Sequence, residues 1–85
     1  MVSFDYTIKD ELGLHARPAG VMVRQIKPLQ AVITIKCGLR QADAKKLFAI
    51  MGMAVKCGET VTVSVDGENE EAIAADLLKF FEENY

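Results

Sequence analysis

The stretch Gly13-Leu14-His15-Ala16-Arg17-Pro18-Ala19 gathers the residue types that could act on an anion. His15 is the only histidine in the chain, so a multi-histidine metal site is excluded. No serine or cysteine adjoins it to make a nucleophile–base pair. What remains is the imidazole itself, a nucleophile whose neutral form is on hand near neutral pH. Pro18 belongs in a helix's first turn, where its missing N–H leaves nothing unpaired. A helix is therefore predicted to open just after His15, with the ring beside N–H groups that lack intrahelical partners. Such a helix end attracts anions, each stabilised by roughly 0.3–1 kcal/mol. Arg17 adds a fixed cation whose fork suits phosphate oxygens. A nucleophile and an anion cradle thus share one short segment. A capping or surface histidine beside a solvated arginine is the other reading these residues leave open.

The elements that must position this segment are legible from periodicity. Val2, Phe4, Tyr6 and Ile8 alternate with Ser3, Asp5, Thr7 and Lys9, the period-two pattern of a half-buried strand. After Gly13, Ala19, Met22, Val23 and Ile26 fall on one face of a helix that Pro28 stops. Ala31, Ile33 and Ile35 alternate as a second strand ending near Cys37-Gly38, and a short polar third strand is predicted around Leu39–Ala42. Leu47–Met51 reads as a helix too short to stand without tertiary packing. Val61, Val63 and Val65 mark a last strand, closed by the turn signal Asp66-Gly67. Ala74, Leu77, Leu78 and Phe81 mark a final amphipathic helix, with Glu70 and Glu71 in its first turn, where the macrodipole favours acids. The order β-α-β-β-α-β-α implies an α/β (α+β) fold: an antiparallel or mixed sheet with helices packed on one face.

Composition narrows the possibilities. Eighty-five residues are expected to form a single domain over 1–85, since so short a chain buries only about 60% of its unfolded surface. No apolar run approaches the roughly 20 residues of a membrane span, and the start Met-Val-Ser-Phe-Asp-Tyr has no signal-peptide pattern. Cys37 and Cys57 are not at metal-ligand spacing, so reduced thiols in a cytoplasm are expected. Residues 1–60 hold nine Lys/Arg against five Asp/Glu, whereas residues 61–85 hold one against seven. The net charge of −2 therefore hides a basic portion able to steer an anionic partner, or simply two solvated faces. Nucleic acid is a poor fit: the chain has no Trp and no basic segment with interleaved aromatics. An acylphosphatase is no better, because the only asparagines, Asn69 and Asn84, lie in the acidic region.

Leu47, Phe48 and Met51 lie at i, i+1 and i+4 on the short helix, which cannot bury every apolar side chain. With Ala16 and the small Gly20 beside them, and the bases Arg17, Arg24, Lys27, Lys45 and Lys46 around them, they read as an apolar centre with a basic rim, suited to a transient interface. The competing reading makes Leu47 and Met51 core residues.

Gly-Leu-His-Ala-Arg-Pro-Ala closely resembles the active-site signature of HPr, the phosphocarrier family of the bacterial sugar phosphotransferase system. The resemblance extends over essentially the whole chain: Ala44-Lys45-Lys46-Leu47-Phe48 is similar to the family's second-helix segment, and Gly58-Glu59-Thr60-Val61-Thr62-Val63 to its fourth strand. It implies an open-faced β-sandwich with four strands and three helices on one face. It also implies a phosphoryl relay from phosphoenolpyruvate through enzyme I to sugar-specific IIA domains, with no metal, no cofactor and no turnover by the carrier itself. By the same resemblance His15 takes the group on Nδ1, Arg17 contacts it, Pro18 stands beside it, and the first two helices form the docking face. The protein is expected to be a cytoplasmic monomer that does not insert into membranes. A paralogous regulatory carrier of the nitrogen type would share the His15 chemistry and differ in its partners.

One position departs from the family pattern. Many HPr proteins of Gram-positive bacteria carry a kinase-regulated serine where this chain has Lys46. Lysine has no hydroxyl, and the only serines, Ser3 and Ser64, lie elsewhere in the sequence. The family's serine kinase and ATP are expected to leave this segment unmodified by mass spectrometry. A phosphorylated peptide spanning Lys46 would overturn that expectation.

Overall fold

A computed structural model describes residues 1–85. The elements run β1 (Val2–Thr7), α1 (Ala16–Ile26), β2 (Ala31–Cys37), β3 (Arg40–Asp43), α2 (Leu47–Gly52), β4 (Thr60–Gly67) and α3 (Glu70–Asn84). The four strands form one sheet in the order β1-β4-β2-β3, every neighbouring pair antiparallel. The alternative of a mixed sheet is thereby resolved. The last strand inserts between the first two, pairing Phe4 with Val63 on one side and Ile35 with Val63 on the other.

Alternation decides which face is covered. Val61, Val63, Val65, Ile33 and Ile35 are all buried, while Ser3, Asp5, Thr7 and Val32 on the alternate positions are exposed. The helices bring Pro18, Ala19, Met22 and Ile26 from α1, Ile50 from α2, and Ile73, Leu77 and Phe81 from α3 to that covered face. Every fully buried side chain is apolar, so the core carries no desolvated charge to offset. Phe81 is fully buried, with Phe4, Tyr6 and Tyr85 around it at ring-centroid distances of 6.0, 5.7 and 5.3 Å. No helix is long and apolar enough to cross a membrane.

Two sequence expectations shift. The third strand is Arg40–Asp43 rather than Leu39–Ala42, because Leu39 lies in the hairpin turn, fully exposed, and pairing starts with Arg40 opposite Cys37. In α3 the buried stripe is Ile73, Leu77 and Phe81, with Ala74 and Leu78 only half-buried at its margin. Cys37 is buried and Cys57 exposed. Desolvation pushes the Cys37 thiol above its usual range, reinforced by the Glu59 carboxylate. Glu59 is ion-paired with Arg40, whose guanidinium also donates to the Met53 carbonyl at 2.8 Å. That arginine ties the β2–β3 hairpin to the segment that follows α2.

Candidate functional site

His15 is the N-cap of α1, with extended backbone at φ −89° and ψ 165°. Two contacts set that geometry. The turn Asp10–Gly13 is closed by the Gly13 N–H donating to the Asp10 carbonyl at 2.9 Å, with Asp and Gly at the ends of the turn they favour. Gly13, at φ +66°, then brings the chain against the loop after α2, where the Leu14 N–H donates to the Val55 carbonyl at 3.1 Å. Leu14 is buried, so the next residue emerges at the surface with a defined direction.

The cap position is chemically unusual. His15 makes no side-chain cap hydrogen bond, and α1 has no acid in its first turn. Pro18, buried at the third helical position, has no N–H, and the Ala19 N–H reaches the His15 carbonyl at 3.4 Å. The N–H groups of Ala16 and Arg17 are left without intrahelical partners. The positive end of α1 is thus unneutralised by its own sequence, and the exposed Arg17 adds a full charge. His15, Asp10, Arg17 and Pro18 line one shallow open cleft of about 350 Å³, with Glu83 and Asn84 of α3 on its far side.

The imidazole presents its two nitrogens differently. Nε2 is buried and has no hydrogen-bond partner, yet it lies 3.4 Å from Oδ2 of Asp10. That separation is close enough for charge attraction but off-line for a hydrogen bond. The ring packs edge-on against Tyr85 at 5.9 Å, and the Tyr85 hydroxyl donates to the His15 carbonyl at 3.3 Å. Burial holds the Tyr85 phenol well above its ordinary titration range, with the nearby Asp10 carboxylate adding to the effect. Tyr85 is therefore a standing donor at any ordinary pH. Nε2 is thus closed off, while Nδ1 is not among the buried, unpartnered atoms.

The remaining sequence-predicted residues divide. Helices α1 and α2 pack together; Ala16 is exposed and Gly20 half-buried. Phe48 is 89% exposed, whereas Leu47 and Met51 are half-buried and packed on the core. A Cβ at Gly20 would meet nothing within 4 Å, so its lack of a side chain is not required by internal packing. Arg24 and Lys27 are exposed but do not surround His15: Lys27 lies twelve residues on, about 18 Å along the helix axis. Arg24 occupies the last turn of α1, where any cation is favoured. Lys45 is half-buried, and its Nζ donates to the Leu29 carbonyl at 2.6 Å, which ties two loops together. Lys46 is the N-cap of α2 and makes no side-chain cap bond.

Two residues at the site, Asp10 and Tyr85, are not singled out by sequence reasoning. The Asp-x-x-Gly turn signal at 10–13 is the clue to Asp10, since such a turn folds its first residue back toward the residues after it. Nothing in the sequence announces Tyr85, whose backbone oxygen accepts the Lys9 and Asp10 N–H groups at 2.6 and 2.7 Å.

Comparison with known proteins gives a consistent result. The family model described as the PTS HPr component phosphorylation site matches residues 2–83. The phosphocarrier protein HPr of Mycoplasma capricolum is 37% identical over 76 residues, covering 88% of this chain and 85% of its own. That of Haemophilus influenzae is 37% identical over 78 residues, covering 92% of each. Among solved structures, the histidine-containing phosphocarrier protein of Mycoplasma superposes with a TM-score of 0.89 at 30% identity, over 93% of this chain and 90% of the other.

Proposed function

The chain belongs to the HPr family of phosphotransferase-system phosphocarriers, and from that premise we propose that His15 accepts a phosphoryl group from enzyme I and delivers it to sugar-specific IIA domains. The observation that carries this reading is the placement of His15: an imidazole with only Nδ1 free, at a helix N-terminus that neither its own cap nor a nearby acid on the helix neutralises. The Nδ1 lone pair forms the bond to phosphorus, and the bond to the donor breaks with its electron pair leaving on the donor. The dianionic group then sits against the free N–H groups of Ala16 and Arg17 and the Arg17 guanidinium, all of which favour negative charge. Pro18 keeps the first turn in place without competing for the anion. The same groups that stabilise the phosphoryl on arrival let it leave intact to the next acceptor, so the protein acts as a stoichiometric carrier and not as an enzyme.

The test is direct. Incubation with phosphoenolpyruvate and enzyme I is expected to add a single phosphoryl group, seen by intact mass and lost on mild acid treatment, as a phosphoramidate requires. An unmodified mass with an active donor would remove the proposal, and an acid-stable phosphate would point to a hydroxyl instead.

We assign the partner surface to Ala16, Gly20, Arg24, Lys27, Leu47, Phe48 and Met51, with Phe48 as the apolar anchor and the bases steering an acidic partner. Phe48→Ala is expected to raise the half-saturating concentration of enzyme I by about tenfold, as for an anchor residue worth more than 1 kcal/mol, with the maximal rate unchanged. Its stability should move by less than about 0.5 kcal/mol, because the side chain is already in solvent. A large drop in melting temperature would instead make Phe48 a structural residue. The proposal also takes the carrier to be cytoplasmic and monomeric; one solved relative, from Thermoanaerobacter tengcongensis, is described as an HPr dimer.

A further inference from the structure

Asp10 is held by both its backbone and its side chain. Its N–H donates to the Tyr85 backbone oxygen at 2.7 Å, its carbonyl accepts the Gly13 N–H at 2.9 Å, and its Oδ1 accepts the Leu12 N–H at 2.8 Å. The carboxylate is thus pinned by one oxygen while the other, Oδ2, faces His15 Nε2 at 3.4 Å. Tyr85 stands edge-on to the same ring, so an acid and an aromatic together form a bracket that holds the imidazole.

This bracket fixes where the ring proton must be. A buried lone pair on Nε2 would point at a carboxylate and be repelled, whereas an N–H there is attracted. The neutral ring therefore carries its hydrogen on Nε2 and its lone pair on Nδ1. We propose that Asp10 is a positioning residue that holds His15 in the Nε2–H form, directs phosphorylation to Nδ1, and stabilises the positively charged ring that transfer creates. The inference rests on the reading that His15 is the phosphoryl acceptor. During transfer the Nδ1–phosphorus bond forms as the phosphorus–donor bond breaks with its electron pair. The Nε2 proton does not move, and the positive charge the ring gains faces Oδ2. The contact, off-line in the resting protein, then closes into a charge-assisted hydrogen bond. Carboxylates that orient a histidine through its second nitrogen work by the same physics at metal and hydrolase sites.

Two substitutions separate orientation from folding. In Asp10→Asn the amide oxygen still accepts the Leu12 N–H, but the NH₂ group now faces Nε2 and favours the hydrogen on Nδ1, blocking the nucleophile. Asp10→Ala removes the direction without reversing it. Long-range proton–nitrogen NMR of the neutral ring is expected to show Nε2–H dominant in the wild type, Nδ1–H enriched in Asp10→Asn, and a mixture in Asp10→Ala. Single-turnover phosphorylation by saturating enzyme I should slow by about tenfold or more in Asp10→Asn and by less in Asp10→Ala, with half-saturation unchanged in both. A merely structural role would instead make Asp10→Ala the worse variant and leave the Asp10→Asn tautomer as in the wild type. Dominant Nδ1–H in the wild type, or a wild-type rate in Asp10→Asn, would overturn the proposal. The tautomer measurement needs no phosphoryl donor, so its outcome is independent of the wild-type phosphorylation test. If the wild type takes no phosphate, the acceptor reading fails on its own.

Discussion

His15→Ala is expected to abolish acid-labile phosphate uptake, and His15→Asn to abolish it while making the protein more stable. The first half follows from the proposal that the ring is itself the acceptor: no neighbouring side chain substitutes for it, and no other histidine exists in the chain. The second half comes from what the N-cap position prefers. Asn is among the best N-caps and its replacement by poor caps costs typically about 1 kcal/mol, yet His15 makes no cap bond at all. An asparagine there would reach the Arg17 N–H, the only candidate donor because Pro18 has none. A gain of about 0.5–1 kcal/mol corresponds to several degrees in a domain of this size. His15→Ala should change stability little, since the ring is only partly buried and its Nε2 is unbonded in the native state. A residue that leaves its helix uncapped and one nitrogen orphaned is explained by chemistry, not by folding. Calorimetry of the two variants beside intact mass after phosphoenolpyruvate and enzyme I checks both halves. Residual acid-labile phosphate in either variant would move the acceptor elsewhere, and a destabilised His15→Asn would mean that the ring is structural.

The strands and the first helix were legible because their apolar residues repeat cleanly at two or at three-to-four positions. The period-two runs Val2–Ile8, Ala31–Ile35 and Val61–Val65 cover three of the four strands. The third was blurred for a physical reason: Arg-Gln-Ala-Asp has one inward residue, Ala42, and its position is set by pairing with β2 rather than by its own pattern. The insertion of β4 between β1 and β2 could not be read, since strand order depends on contacts far apart in sequence. In α3 periodicity finds Leu77 and Phe81 but takes Ala74 and Leu78 in place of Ile73, because the helix is apolar over much of its surface and only packing selects its buried edge.

The position of the site is more legible than its support. His15, Arg17 and Pro18 lie within four residues of sequence, so one local rule about helix starts places all three. Asp10 and Tyr85 come to the same ring from either side, five and seventy residues away, through a turn and through the end of the last helix. Neither contact has a periodicity or a spacing that a sequence displays. The basic rim has a similar limit: charge counting finds Lys45, but only the fold shows that its ammonium donates to the Leu29 carbonyl.

Gly13→Ala is expected to be among the most damaging conservative changes outside the core, by about 3 kcal/mol. Two costs combine. At φ +66° an alanine occupies the left-handed region, which costs roughly 1–2 kcal/mol for a residue with a Cβ. Its Cβ would also stand 2.2 Å from the Val55 carbonyl oxygen and 2.9 Å from the Lys56 Cα. Both are backbone atoms that cannot rotate away, so the loop after α2 must shift, and overpacking of this kind costs roughly 1–3 kcal/mol. Gly38 supplies the control: it has nearly the same φ, +62°, but a Cβ there meets nothing within 4 Å. Gly38→Ala should therefore carry only the conformational cost, leaving the two variants about 2 kcal/mol and roughly 10 °C apart in melting temperature. The difference reaches function through Leu14, whose N–H is held by that same Val55 carbonyl. Displacing the carbonyl moves the anchor one residue before His15 and opens the bracket formed by Asp10 and Tyr85. Phosphoryl uptake by the folded fraction of Gly13→Ala should consequently be slowed, while Gly38→Ala takes up phosphate like the wild type. Equal melting temperatures for the two variants would show that the approach of Gly13 to Val55 is not what fixes the histidine in place.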